Sequence, residues 1–492
     1  MLPRLPLRAS LCAKALARRA YTGRMGQSFH VENFGCRAAR ADGEAVAERL
    51  RAAGLSEGQP AQADVVVVNT CSVTAEADRA ARAFIRRARR LNPAVRIVAT
   101  GCYAQRAPQE LAALPGVAAV VGNSHKALAP AVALQLAGEP APAAPHAPLL
   151  SVQSLLATAV AAQPALILAD DRFAHSFLEE AQLHPGAQTR PNLKIQEGCG
   201  NRCSFCVIPQ TRGSSRSLPA ADVLRQVCGF VASGGNELVF SGINLGRWGR
   251  DLAPDPGQPQ PTLSRLVRQI LQQTSLPRLR LSSIEPMDWD ADLIALLAEF
   301  GGDRLARHAH LPLQSGSDAV LRRMHRRYRP WHYRQKVEAL LSAAGPQLTL
   351  GADVMAGFPG ETDSEFEETL AFLRELPFAY LHLFPFSPRP ATRAWALHVH
   401  SPVPPAVVDV RMARLRQLAA EKTRAHRAQF LGADLEAITL HTPPDLAAAG
   451  RTAAITENFL PVELAGSLPA NRMLRLRVHA LGAADALLAR AQ

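Results

Sequence analysis

The chain has 492 residues, too many for one ordinary hydrophobic core, so roughly two to four domains are expected. With 48% hydrophobic residues and a mean hydropathy of -0.03 it can bury a large core. Its longest apolar stretch, Leu155 to Ala169, is broken by Thr158, Gln163 and Pro164, which argues against a membrane-spanning helix. The net charge of +13 points to an acidic partner, nucleic acid being the commonest, and eight cysteines in so long a chain argue against a disulfide scaffold.

Residues 1–24 contain Arg4, Arg8, Lys14, Arg18, Arg19 and Arg24 and no acid, so much of the positive excess lies there. The composition is superficially that of an organelle transit peptide, and the simpler reading is an over-extended start with translation beginning at Met25. Residues 1–27 are therefore set aside from the fold. Only five lysines occur among the 55 basic residues, a bias that GC-rich coding alone produces.

From Ser28 to residue 136, short apolar runs alternate with helical patterns. VVVVN at 65–69 runs up to Cys71, and RIVAT at 96–100 up to Cys102. This predicts a parallel sheet, whose ligands gather at the carboxyl ends of its strands. Cys36, Cys71 and Cys102 each follow a strand-like run and can converge there. By spacing alone they are either one metal site or three ordinary half-buried cysteines. Arg79, Arg82, Arg86 and Arg90 then recur at helical spacing, as a phosphate-binding face or a solvated one.

The Pro/Ala-rich stretch AGEPAPAAPHAP begins a linker or insertion over 137–190, of which 149–190 has no assignable pattern. Residues 191–425 repeat the βα alternation. Strands are expected at 193–196, 237–240, 278–282, 308–312, 348–354 and 380–385, and six such units make a partial or full barrel. LAPDPGQPQP at 252–261 is a loop within it. After SPVPP at 401–405 comes a basic helix, then from about residue 426 a small all-β domain. This last domain holds five arginines and six acids from Leu431 onward, so RNA affinity there cannot rest on net charge.

The strongest chemical signal is GCGNRCSFC at 198–206, a C-x3-C-x2-C triplet directly after the first barrel strand. Cys199, Cys203 and Cys206 suit three irons of a [4Fe–4S] cluster. The open fourth iron can chelate S-adenosylmethionine and deliver the electron that releases a 5′-deoxyadenosyl radical. A zinc site with a remote fourth ligand is the alternative.

LKIQEGCGNRCSFCVIPQTRGSSRS, HLPLQSGSDAVLRRMHRRY, ADVMAGFPGETDSEFEETL and FPFSPRPATRAW resemble the radical S-adenosylmethionine methylthiotransferase family. So do VENFGCRAARADGEA, VVVNTCSVTAEAD and IVATGCYAQRAP. The resemblance covers roughly residues 28–136 and 190–490. It implies an α/β chain: an N-terminal parallel-sheet methylthiotransferase domain (28–136), a radical (β/α)6-type partial barrel (191–425) and a C-terminal RNA-binding TRAM barrel (426–492).

It also implies two [4Fe–4S] clusters, the second held by Cys36, Cys71 and Cys102. One S-adenosylmethionine would methylate the inserted sulfur and another would supply the radical. Gly234, Gly235 and Glu237 would contact the methionyl part of the cofactor, although this chain reads GGNE where the superfamily has GGE. Gly357, Gly360 and Glu361 of GFPGE would approach its adenine, with Gln314 and Ser315 nearby. Arg82, Arg86, Arg90, Arg323 and Arg326 become candidate tRNA contacts.

KIQEGC, NTCSVT and SPRPATRAW are most similar to the subgroup that methylthiolates C2 of N6-threonylcarbamoyladenosine at tRNA position 37. Sister enzymes act on N6-isopentenyladenosine in tRNA or on a ribosomal-protein aspartate, and a non-catalytic iron–sulfur RNA-binding protein is the remote alternative. The expected setting is the cytoplasm, as a monomer, with tRNA as substrate and a flavodoxin or ferredoxin as electron donor. The sulfur donor is not indicated.

Overall fold

The computed structural model describes residues 27–138, 165–173, 183, 185, 188–254, 256–482 and 485–492. Residues 1–26, set aside above, and much of 137–190 lie outside them.

The first domain is a six-stranded parallel sheet ordered β2-β1-β3-β4-β5-β6: β1 (Ser28–Asn33), β2 (Ser56–Glu57), β3 (Val65–Thr70), β4 (Arg96–Gly101), β5 (Val117–Gly122) and β6 (Leu166–Leu168). β3, all apolar until Asn69, is buried along its whole length, as expected of a strand covered on both faces. α1 (Arg37–Ala52) and α2 (Ala75–Leu91) flank it. Thr74 caps α2 by accepting from the Ala77 N–H, after which Ala81, Ile85 and Ala88 face the sheet. β6 comes from within the stretch read as linker or insertion and forms the sheet's outer edge.

The second domain has the six expected parallel strands, each within two residues of the sequence reading. They are β7 (Asn192–Glu197), β9 (Glu237–Gly242), β10 (Arg278–Leu281), β11 (His308–His310), β12 (Thr349–Ala356) and β13 (Tyr380–Pro385); the short β8 (Arg216–Ser217) runs antiparallel to β7. Pairing runs β8-β7-β9-β10 and β11-β12-β13, with isolated bridges such as Leu279–Leu305 at the junction. Alternation explains which way each side chain points. Leu193, Leu238, Phe240, Leu279 and Leu350 pack outward against the helices. Glu237, Arg280, His308, Asp353 and Tyr380 occupy the opposite face and make a polar lumen.

β7 and β13 do not pair, so the barrel is open on that side. The first domain spans the gap. α1 packs on β7 and β9. Past β13, Arg389 bonds Asp78 at 2.7 Å and Ser387 Oγ accepts from the Ala75 N–H.

The third domain is a closed barrel in the order β14-β15-β16-β18-β17: β14 (Asp434–Thr439), β15 (Arg451–Thr456), β16 (Pro461–Ala465), β17 (Met473–Leu481) and β18 (Leu487–Ala491). It seats on the amino ends of the radical-barrel strands. Asn471 donates to the Gly234 carbonyl, Asn458 to that of Gln347, and Glu457 accepts from Arg307 at 2.6 Å. No helix among the described residues is long and apolar enough to cross a membrane.

Candidate active site

The loop carrying Cys199, Cys203 and Cys206 leaves the carboxyl end of β7. Gly198 makes the turn at φ +71°, where a Cβ would lie 2.0 Å from the Ser214 carbonyl oxygen. The loop is pinned by backbone bonds from Cys199 to Gly213 and from Ser204 to Met324. Donors surround its sulfurs. The Asn201 N–H (3.4 Å) and Asn244 Nδ2 (3.6 Å) reach Cys199, and Arg326 Nη1 reaches Cys203 at 3.3 Å. Arg326 is itself held by Glu285 at 2.5 Å. Burial, then the neighbouring Cys203 and Cys199, push the Cys206 thiol up to about 12, and burial also raises Cys199. Buried thiols such as Cys199 and Cys206 ionise more readily with cationic compensation, which a metal provides.

The second triplet assembles across adjacent strands. Cys36 follows β1 and caps α1, Cys71 follows β3, and Cys102 follows β4 and opens the short helix α3 (Cys102–Arg106). β1 and β4 flank β3 in register, Asn33 opposite Asn69 and Thr70 opposite Gly101, so the three cysteines emerge side by side. Gly35, at φ +106°, lies so near Cys71 that a Cβ would fall 2.6 Å from the cysteine Cβ. Burial, followed by Cys102 and Cys36, pushes the Cys71 thiol up to about 12. Cys36 is exposed, whereas Cys71 and Cys102 are buried. The Cys102 sulfur accepts from Asn123 Nδ2 at 3.4 Å and Arg212 Nε at 3.2 Å.

Arg212 belongs to a buried charge network joining the two triplets. Its Nη1 bonds Glu197 at 2.6 Å and Asp42 at 3.0 Å. Lys126 bonds the same carboxylates at 2.8 and 2.9 Å, and Lys194 bonds both as well. Glu197 immediately precedes the Gly198–Cys199 turn, while Arg212 touches Cys102. Three cations face two carboxylates, which leaves one positive charge for the sulfur side. Arg212 Nη2, buried, has no partner of its own among the described residues. Burial and Arg212 lower Lys126 to about 8. An excess buried cation beside a cysteine sulfur complements the negative charge that a thiolate-ligated cluster would bring there.

Other predicted residues are placed differently. Gly234, Gly235 and Glu237 lie at the amino end of β9, away from the cysteine loop; Glu237 is fully buried, its carboxylate on Arg280 at 2.8 Å and Arg190 at 3.2 Å. The residues that reach the loop come from the carboxyl end, after Gly242, in Asn244. Gln314 and Ser315 do follow β11 on the cysteine side. Gln314 adopts φ +69°, and Ser315 Oγ is bonded to Thr369.

GFPGE also reaches this end, since Phe358 packs with Phe205 of the cysteine loop. Its acid is engaged within the protein, however. Glu361 accepts from the Gly357 N–H at 2.7 Å and from Arg411 at 2.8 Å, and the Gly360 N–H bonds the Ser401 carbonyl.

Arg86 and Arg90 are exposed on α2, while Arg82 is half-buried and donates to the Tyr103 hydroxyl. Arg323 is forked onto Glu365 at 2.6 and 2.8 Å. Arg326, read as an RNA contact, is buried beside Cys203 instead, because the chain turns inward at His325 (φ +56°). Arg212, Asn123 and Asn244 were not singled out from the sequence. The one available signal was position: each lies a few residues past a strand's carboxyl end or past the cysteine loop.

Residues 28–122 match the model described as Uncharacterized protein family UPF0004, and residues 193–373 that of the Radical SAM superfamily. The chain is 33% identical over 442 residues to threonylcarbamoyladenosine tRNA methylthiotransferase MtaB of Bacillus subtilis (strain 168), across 89% of this chain and 90% of that protein. It is 31% identical to the protein of the same name from Aquifex aeolicus, across 85% and 91%. It is 34% identical to tRNA-2-methylthio-N(6)-dimethylallyladenosine synthase of Novosphingobium aromaticivorans, across 79% and 81%. Among solved structures, the radical S-adenosylmethionine methyltransferase TsrM of Kitasatospora setae aligns with a TM-score of 0.54 at 15% identity, covering 75% of this chain and 77% of that one. That likeness is one of fold.

Proposed function

The chain belongs to the radical S-adenosylmethionine tRNA methylthiotransferase family, and from that membership we propose that it methylthiolates C2 of N6-threonylcarbamoyladenosine at position 37 of tRNA. The observation that carries this reading is the pair of thiol triplets joined through Arg212 and Glu197. Threonylcarbamoyladenosine methylthiotransferases match over as much as 93% and 89% of the chain and dimethylallyladenosine synthases over 84% and 79% at similar identity, so the longer matches support the threonylcarbamoyl base.

Cys199, Cys203 and Cys206 fit one [4Fe–4S] group, and Cys36, Cys71 and Cys102 a second, by number, softness and surrounding donors. When bound, the first would supply the electron that splits a carbon–sulfur bond of S-adenosylmethionine, and the second would carry the sulfur that is methylated and inserted. The chain's own residues prepare both sites. Arg326 and Asn244 donate to sulfurs of the first triplet, Arg212 and Asn123 to a sulfur of the second. Such bonds fix ligand orientation and favour the thiolate charge. Phe205, Phe358, Val320 and Met324 form an apolar wall behind the cysteine loop that keeps water from one side of it. In this reading the enzyme works in the cytoplasm as a monomer, reduced by a flavodoxin or ferredoxin.

Mass spectrometry of tRNA nucleosides tests the proposal. A strain lacking the gene loses the methylthio-threonylcarbamoyl nucleoside alone. Loss of the dimethylallyl derivative instead, or an untouched tRNA pool, refutes the assignment. In the purified protein, Cys203→Ala abolishes 5′-deoxyadenosine formation. Cys71→Ala preserves that cleavage and ends sulfur insertion; full methylthiolation by that variant would refute the second group.

A further inference from the structure

At the amino ends of the barrel strands the lumen holds more positive charge than its acids balance. Arg190 lies just before β7, Arg280 on β10, and Arg37 directly after Cys36. All three guanidiniums stand over one aromatic ring, that of Phe459, with Cζ at 6.0, 5.3 and 5.5 Å from its centroid. Among the described residues, Glu237 is the only acid bonded to any of them, at 3.2 Å from Arg190 and 2.8 Å from Arg280. It is shared further with Arg278. Arg37 has no carboxylate partner among the described residues. Arg280 Nη1 and Arg190 Nε are buried without an acceptor among the described residues. Burial, and repulsion from Arg280, lower Arg37 and Arg190 from the ordinary arginine value, although both stay cationic.

His308 adds no compensation. Burial and the same arginines hold it neutral, and its Nε2 is bonded to the Tyr380 hydroxyl at 2.7 Å. Phe459 closes the floor from the turn between β15 and β16. It adopts φ +71°, a left-handed conformation that costs a bulky residue about 1–3 kcal/mol and persists only where its surroundings dictate it. Arg280 is buried and Arg37 and Arg190 are only partly exposed, so three guanidiniums facing one carboxylate favour the binding of an anion.

We propose that Arg37, Arg190 and Arg280 form a carboxylate-binding site on the floor of the barrel, and that it receives the carboxylate of the threonylcarbamoyl group. The inference rests on the threonylcarbamoyladenosine reading above. C2 and N6 flank N1 on one edge of adenine, so a base that offers C2 to the protein directs its N6 substituent inward too. Arg37 adjoins Cys36, which ties this site to the second thiol triplet. A carboxylate matches the planar donor fork of arginine, and the stacked Phe459 ring holds the forks in place. An apolar dimethylallyl group would leave the guanidiniums uncompensated, so the same residues select against it.

The test compares wild type with Arg37→Gln and Arg37→Lys. Removing Arg37 orphans no carboxylate, so these variants keep their fold. Binding of an anticodon stem-loop carrying N6-threonylcarbamoyladenosine is measured against the same stem-loop with its carboxylate methyl-esterified. Wild type prefers the free acid by at least about tenfold, the worth of one charge-assisted hydrogen bond. Arg37→Gln removes the preference, Arg37→Lys restores part of it, and 5′-deoxyadenosine formation without tRNA is unchanged in both.

An undiminished preference in Arg37→Gln overturns the proposal. So does a rise in KM for S-adenosylmethionine in the tRNA-free assay, which would assign the site to the methionyl carboxylate. If wild type modifies only dimethylallyladenosine tRNA, the substrate reading itself fails. That result is distinct from a wild type that uses the threonylcarbamoyl base but ignores its ester.

Discussion

Gly35 offers a way to damage one thiol triplet while leaving the other intact. At φ +106° its backbone lies well outside the regions an L-residue prefers, so Gly35→Ala costs about 1–3 kcal/mol in conformation alone. The new methyl would stand 2.6 Å from Cys71 Cβ and 2.7 Å from its Sγ, against ordinary contacts of about 3.5–4.0 Å. Cys71 or the turn must therefore move by about 1 Å, and overpacking of that kind costs a further 1–3 kcal/mol or so. A total of roughly 2–6 kcal/mol is commonly survivable for a domain of ordinary stability. The ligand geometry is less forgiving, since metal sites hold distances to within about 0.2 Å.

Iron and sulfide analysis after reconstitution should show loading reduced by about half, one four-iron group in place of two. Cleavage of S-adenosylmethionine to 5′-deoxyadenosine should persist while methylthiolation disappears. Gly58→Ala, where an added methyl meets nothing within 4 Å, is the control and should load fully. Full loading with undiminished methylthiolation in Gly35→Ala would refute the convergence of Cys36, Cys71 and Cys102 on one group.

Arg212→Gln leaves the Cys102 sulfur with Asn123 as its remaining side-chain donor among the described residues and brings the buried network to charge balance. In a protein lacking the first triplet, an electron paramagnetic resonance redox titration should show the remaining group harder to reduce, with partial recovery in Arg212→Lys; an unmoved midpoint counts against the contact. His426, on the helix Pro405–Ala428, bonds Thr349 and packs on Phe430. Burial, then Arg427, holds it down at about 4 from its ordinary 6.5. Between those values the unfolded chain binds the proton and the folded one does not. Stability therefore falls as pH drops from 6.5 towards 4, by up to roughly 3 kcal/mol. Thermal unfolding across that range should show the decline in wild type and a flatter profile in His426→Leu; equal slopes would remove His426 as the cause.

Much of this protein is written in local pattern. The C-x3-C-x2-C triplet and the six barrel strands rest on short-range spacing and on apolar runs that only a covered parallel sheet buries. Even the convergence of Cys36, Cys71 and Cys102 follows from strand ends, because neighbouring parallel strands present their carboxyl ends together. Contacts between distant segments carry no such period. GGNE has the look of a cofactor motif, yet β9 begins there, so Glu237 faces the floor arginines and Asn244, at the other end, reaches Cys199. Arg326 sits in a run of arginines that suggests an RNA face until the turn at His325 buries it against Cys203.

Arg212, a lone arginine in sequence, acquires its meaning from Asp42, Glu197 and Cys102, which the chain brings from two domains into one dry space. Arg37, Arg280 and Phe459 likewise meet from three domains around one ring. Sequence alone marked which groups are candidates for the chemistry. The tertiary structure decided which charges are buried without balance, and hence where an anion belongs, because desolvation depends on everything packed around a residue.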